Sequence, residues 1–240
     1  MDTRYIRLSS GDPSVLVTSL ASDFVDQLGT TMSCEENCSA YLLEITIPFA
    51  WNNVLKSDRL TVTEGKKESQ IALTPAYYQS IPVLVKALNE ALKKQGLGDI
   101  KFTTDSTTMR VSVDCGAATI SGSFLHIFGW KKGTVLKDTQ QAPGWGDITR
   151  GVRSAFVYVD CIRPTNAGSF QVKLLKEVPV GTHRPGDIIH WRAQLPVETH
   201  KLNTQTLSQI KVTIKDIHNK LLDFNGFDVS LLIAIEHRPS

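Results

Sequence analysis

Tyr41-Leu-Leu-Glu-Ile-Thr-Ile-Pro48 alternates apolar and polar side chains and then stops at a proline, with Phe49-Ala-Trp-Asn-Asn-Val54 following as an aromatic turn. The spacing puts Tyr41, Leu43, Ile45 and Ile47 on one face of a strand and Glu44 and Thr46 on the other, the two-residue period of a half-buried β-strand. Pro48 has no N–H to give to a ladder, so the strand ends there. Downstream, Tyr77-Tyr-Gln-Ser-Ile-Pro-Val-Leu-Val-Lys-Ala-Leu-Asn-Glu-Ala-Leu92 changes period. Ile81, Leu84, Val85, Leu88, Ala91 and Leu92 fall on one helical face, while Lys86, Glu90, Lys93 and Lys94 fall on the wet one. Ser80 is the N-cap candidate, Pro82 sits in the first turn and Gly96 follows the last. One well-capped helix in a β-patterned chain points to a building block, not to an enzyme.

Outward from these two stretches the pattern stays β. Short strands fit Leu60-Thr-Val62 and Ile71-Ala-Leu73, on either side of the polar turn Glu64-Gly-Lys-Lys-Glu68. Ile100 and Phe102, then Met109, Val111 and Val113, resume the alternation, and a short second helix fits Ser121 to Phe128, stopped by Gly129. Residues 131–150 read as a loop because they hold Lys131-Lys-Gly133 and Gln140-Gln-Ala-Pro-Gly-Trp-Gly146 and no period. Phe156-Val-Tyr-Val-Asp-Cys-Ile162 is apolar on both faces apart from Asp160, the pattern of a central strand covered on two sides. Phe170, Val172 and Leu174 alternate next, then Ile210, Val212 and Ile214, and finally Val229, Leu231, Ile233 and Ile235. Asp216-Ile-His-Asn-Lys220 is a hairpin loop with Asn219 at a left-handed position. The count is roughly nine to eleven short strands with about two helical insertions, which is a sandwich or barrel. Periodicity does not choose the jelly roll among Greek-key sandwiches.

A chain of 240 residues, 41% hydrophobic and 21% charged, has the composition of an ordinary globular protein and can bury a full core. It holds no apolar run of about 18 residues, the length of a membrane span. Met1-Asp-Thr-Arg-Tyr-Ile-Arg-Leu-Ser-Ser10 lacks the apolar core of a signal peptide, so synthesis in the cytosol or nucleus is expected. Cys34, Cys38, Cys115 and Cys161 are too scattered for a disulfide scaffold or a zinc site and read as buried or free thiols. The net charge of +2 hides an acidic segment: Asp2, Asp12, Asp23, Asp26, Glu35 and Glu36 stand against Arg4 and Arg7. Phosphate binding needs Lys and Arg, so this is not a nucleic-acid arm. The expected organisation is an acidic N-terminal arm over residues 1–37 and one sandwich domain over 38–240.

The run Ile47-Pro-Phe-Ala-Trp-Asn-Asn-Val54, then Leu73-Thr-Pro-Ala-Tyr-Tyr-Gln-Ser80 leading a helix with Leu88-Asn-Glu-Ala-Leu92, resembles the penton-like minor capsid proteins of Polinton/Maverick elements and adintoviruses. The likeness continues through Ile100-Lys-Phe102, Met109-Arg-Val-Ser-Val113 and Ile120-Ser-Gly-Ser-Phe-Leu-His-Ile-Phe-Gly-Trp130. It runs on through Phe156-Val-Tyr-Val-Asp160, Val172-Lys-Leu-Leu-Lys-Glu-Val178 and the last strand near Glu236. The chain departs from that pattern at Ala167-Gly-Ser169 in place of Val-Gly-Asp, at Lys176 in place of arginine, and at Trp130 in place of phenylalanine. The resemblance implies an all-β single jelly-roll sandwich with one or two short helical insertions. It further implies a homopentamer at the fivefold vertices of an icosahedral capsid beside double jelly-roll major capsid proteins, hence a virion protein assembled in the nucleus or cytoplasm of its host.

No catalytic motif is present: there is no Gly-x-Ser-x-Gly elbow, His-Glu-x-x-His pair, phosphate-binding Gly-rich loop or dinucleotide fingerprint. His183, His190 and His200 fit no ligand spacing and read as loop histidines, and no cofactor or metal is expected. Asp160 needs a partner inside its apolar strand, either an arginine such as Arg163 or Arg153 or a neighbouring subunit. Trp51, Trp145 and Asp160 are the interface candidates. Tryptophan carries much of the binding energy at protein contacts, and Trp145, between Pro143-Gly144 and Gly146, has no regular element to pack under. Trp51 has two readings, an interface anchor or, with Phe49, a plug for the core. Three functions follow: a self-associating capsid subunit with no direct nucleic-acid partner, a jelly-roll carbohydrate-binding module using Trp145 and Asp147, or a cupin-type enzyme with converging histidines. A host-retained capsid-derived protein would share the first pattern.

Overall fold

The computed structural model describes residues 2–34, 37–150, 152–167, 170–184 and 186–237. In chain order, β1 (Asp2–Ser9), β2 (Leu16–Val17), β3 (Asp23–Ser33) and β4 (Cys38–Pro48) come first. Then follow β5 (Leu60–Glu64), β6 (Lys67–Ile71), α1 (Ile81–Lys94), β7 (Lys101–Thr104), β8 (Val111–Asp114), β9 (Thr119–Gly122), α2 (Phe124–Ile127), β10 (Leu136–Lys137) and β11 (Gln140–Gln141). The last group is β12 (Ser154–Val159), β13 (Thr165–Ala167), β14 (Phe170–Val172), β15 (Leu174–Pro179), β16 (Ile188–Arg192), β17 (His200–Lys201), β18 (Thr206–Lys215) and β19 (Ser230–His237). Two compact units result: residues 1–51 with 152–240, and residues 52–151.

The first unit is the sandwich. One sheet has the order β1-β19-β4-β16, with β17 also on β4; the other runs β15-β12-β18-β3-β2. Numbering its eight principal strands from one to eight along the chain, the first sheet reads 1-8-3-6 and the second 5-4-7-2. The bonded antiparallel pairs are thus first with eighth, second with seventh, third with sixth and fourth with fifth. That is one long antiparallel hairpin rolled across two sheets, the jelly-roll path. Its inward faces are fully buried at Leu8, Ile45, Ile47 and Ile233 in the first sheet and at Phe24, Val157, Ile210, Val212 and Ile214 in the second. Each such side chain contributes about 1.5–3 kcal/mol by leaving water.

Several expectations change here. The acidic segment expected as an arm supplies β1 and β3, one strand to each sheet, because Ile6, Leu8 and Phe24 point into the core, while Asp12 is exposed in a turn and Asp23 lies on the outer side of β3. Net charge says nothing about period, and the period prevails. In β4 the register against β19 shifts between Glu44 and Leu42, so Leu43 is the extra residue of a bulge. Leu42 is therefore buried with Ile45 and Ile47, and Leu43 is only half-buried. The strand from Phe156 is central, between β15 and β18, yet only Ala155, Val157 and Val159 are buried. Phe156 and Tyr158 lie half-exposed on its outer side. Among the described residues the strand count reaches nineteen because very short pairings such as β2, β10, β11 and β17 carry no readable period.

The second unit is inserted between β4 and β12 and contains sheets β10-β9-β5-β6 and β11-β8-β7 with both helices. In α1 the Ser80 hydroxyl accepts the Val83 N–H at 3.4 Å, and Ile81, Leu84, Val85, Leu88 and Leu92 are buried. The helix closes with Leu97 N–H on Leu92 C=O (3.0 Å) and Gly96 N–H on Lys93 C=O (3.1 Å), which requires the left-handed φ of +76° that Gly96 adopts. The helical face packs with Leu60, Val62, Ile71, Phe102, Val111, Ile120, Phe124 and Phe128 into one core. The second helix is a single turn, Phe124–Ile127; Ser121 and Gly122 belong to β9, where they pair with Thr61 and Leu60. The stretch 131–150 is irregular apart from β10 and β11.

Candidate interaction site

Trp145 stands on a fastened turn. Gly144 N–H donates to Gly129 C=O at 3.3 Å and Asp147 N–H to Ile127 C=O at 2.8 Å, which ties the turn to the end of α2. Gly129 has φ +99°, and a Cβ built there would lie 2.4 Å from the Gly144 oxygen. A Cβ on Gly146 would lie 2.8 Å from Ile81 Cδ1. The glycines are what let the two backbones touch. Asp147 Oδ1 then accepts the Thr149 N–H (2.9 Å) and hydroxyl (2.6 Å), holding the far side of the turn. The outcome is an indole 75% exposed on a backbone fixed at both ends. A contact residue held this way loses little freedom on binding.

Trp51 is 4% exposed, stacked on Phe49 at 4.2 Å and edge-on to Phe224 at 6.3 Å. It fills the end of the sandwich core and offers no surface to a partner. Asp160 lies one residue past β12, half-buried, and its partner is no arginine. Its carboxylate accepts the Lys211 N–H at 2.9 Å, and its C=O accepts from Lys173 Nζ (2.6 Å) and Asn203 Nδ2 (2.9 Å). Arg163 instead donates to Leu202 C=O at 3.1 Å, and Arg153 is exposed. The carboxylate therefore finishes the β12–β18 ladder, and Trp51 and Asp160 share no partner among the described residues.

The histidines stay apart. His190 is exposed with Nδ1 3.1 Å from Thr46 Oγ1, His183 is exposed on a turn, and His200 is buried on β17. Among the described residues no three His, Cys, Asp or Glu side chains converge as a metal-holding group. No helix of the described residues is long and apolar enough to cross a membrane. The Cys161 thiol is pushed up to about 12 by burial and then by the Asp160 charge, which makes it a poor nucleophile.

Two polar arrangements have no sequence signal. Asp58, 3% exposed, accepts the Leu55 N–H at 2.7 Å and a short charged bond from Arg150, whose guanidinium also reaches Asn53 C=O at 3.4 Å. Asn53 exchanges bonds of 2.8 and 2.9 Å with the main chain of Tyr78. Burial pushes the Tyr77 phenol up, and the Asn53 hydrogen bond opposes it. In this way the first residues of the inserted unit are bound to its last. The other case is Asn89 of α1, whose amide donates to Phe102 C=O (2.8 Å) and accepts the Phe102 N–H (2.9 Å). It stands in for a neighbouring strand along the edge of β7. The departures at Gly168 and Ser169 lie outside the described residues.

No protein-family model matches the chain, and no curated protein matches it. Among solved structures, the crystal structure of the selenomethionine-labelled mavirus penton protein matches with TM-score 0.55 at 9% identity, over 99% of this chain and 100% of that one. A chain in the 3.5 Å cryo-EM structure of the Sputnik virophage matches with TM-score 0.50 at 12% identity, over 99% of this chain and 98% of that one. At such identity the likeness is one of fold: this chain is all-β and has the jelly-roll fold of the mavirus penton protein.

Proposed function

We propose that the chain is a structural capsid protein, the vertex subunit of an icosahedral particle of a Polinton/Maverick-type element. It works as a homopentamer beside a double jelly-roll major capsid protein, in the virion, and performs no catalysis. The supporting observation is that the match to the mavirus penton protein runs the whole length of both chains, so the inserted unit falls within it as well as the sandwich. A ring closes when one patch meets a different patch on the next copy under a rotation that returns to its start. Trp145, exposed on its fastened turn, is the proposed contact for such a patch. Multi-angle light scattering across protein concentration, pH and salt tests the reading. Concentration-dependent growth beyond the monomer supports it, and a strictly monomeric species under every condition counts against it.

A further inference from the structure

Cys34 directly follows β3 and Cys38 opens β4, so the pair brackets the point where the chain leaves one sheet of the sandwich for the other. Both thiols are free and buried, at 3% and 6% exposure. The Cys34 thiol donates to the Met32 C=O at 4.0 Å, and Cys38 lies beside it in the same pocket. They line one cavity of about 180 Å³ together with Arg4, Met32, Ser33, Ile235 and His237. Burial raises the Cys34 thiol, first of all, and the nearby Cys38 adds to that; the Arg4 guanidinium pulls the other way and favours the thiolate. Cys161 has a charge interaction with Cys34 but is not among the residues lining this cavity, and Cys115 belongs to the other unit.

We propose that Cys34 and Cys38 are an oxidative modification site: two thiols in reducing surroundings, they close an intrachain disulfide when they meet a low-molecular-weight disulfide such as oxidised glutathione. The Cys34 sulfur, its thiol proton lost, attacks one sulfur of the oxidant. A mixed disulfide forms and one glutathione thiolate leaves. Cys38, as its thiolate, attacks the Cys34 sulfur and expels the second glutathione. Two thiol protons are released and two electrons pass to the oxidant, which ends as two reduced molecules. The product pins the β3–β4 crossing, a corner of the sandwich. This site is independent of the vertex reading and holds whether or not the chain forms rings.

The test uses the full-length protein, incubated with oxidised glutathione or with dithiothreitol, then alkylated and digested with a protease cutting after glutamate. Glu35 and Glu36 lie between the two cysteines, so the disulfide appears as two peptides joined through sulfur. Thiols titrated after denaturation are expected to fall from the four of the sequence to two, with the mass lower by about 2 Da. The same loss is expected in Cys115→Ser and Cys161→Ser and is abolished in Cys34→Ser and in Cys38→Ser. The thermal midpoint should rise on oxidation of the wild type. Four titratable thiols after oxidation, a lasting glutathione adduct, a Cys34–Cys161 link or an unmoved midpoint would each overturn the proposal, and the wild-type digest decides even if a serine variant fails to fold.

Discussion

The sandwich and the inserted unit meet opposite demands. In the sandwich the pairings are remote: β1 begins with Asp2 opposite His237, and β3 sets Asp23 opposite Thr213. Its cohesion lies in continuous ladders and two apolar faces. The insert is local, with its own core around α1, and its polar side chains do the fastening: Asp58 with Arg150, Asn53 with Tyr78, Asn89 with Phe102. A stretch of that length between successive strands of the sandwich is tolerable when its ends are held together, since closing a long flexible loop costs entropy that a bound pair of ends removes from the problem. Remote pairing relies on period, and insertion relies on a clasp.

Breaking the clasp should have the largest effect. Arg150→Ala leaves the buried Asp58 carboxylate unpaired, at a cost of about 3–5 kcal/mol in urea unfolding. Asp58→Ala with Arg150→Ala should cost less than the two single changes added, and full additivity would deny the coupling. On the sandwich side, Ile233→Ala empties a fully buried position between Ile6 and Leu42. We expect about 3 kcal/mol from it, with no polar partner involved. Asn89→Ala strips both main-chain partners from Phe102; about 2 kcal/mol should be lost, and hydrogen exchange at Phe102 should quicken.

Asp23→Asn sharpens the comparison by pH. Burial works against the Asp23 charge, but hydrogen bonds from Thr18, Thr213 and Lys211 outweigh it and hold the carboxyl below its ordinary 3.8. A carboxyl lowered on folding stabilises above the unfolded value, and that contribution fades as pH falls through the folded one. The variant should therefore lie about 1 kcal/mol below the wild type near neutrality and converge with it as the solution is acidified below about pH 4. Trp145→Ala should be smallest, within about 0.5 kcal/mol, because the indole packs on nothing it would leave empty.

The sequence carries those features that period or capping writes into it. The helix from Ser80 to Gly96 and the left-handed Asn219, with φ +61°, stand where their residues put them. The bulge at Leu43 is invisible because Leu42 and Leu43 are the same residue type, so nothing in the sequence marks which of them faces the core. The pairing of β1 with β19 is invisible for another reason: nothing in Arg4-Tyr-Ile-Arg-Leu8 specifies a partner more than two hundred residues away. Trp145 was legible as exposed from Pro143-Gly144 and Gly146, whereas its fastening depends on Gly129, which sequence reading assigns only to the end of a helix. Asp58 and Arg150 look like any surface charges until the fold brings them together.

Electron microscopy of the concentrated full-length protein, stabilised by mild crosslinking, tests the account most directly. Class averages showing five copies around one axis are the predicted result. Separate monomers at every concentration, or closed rings with another number of copies, would contradict it.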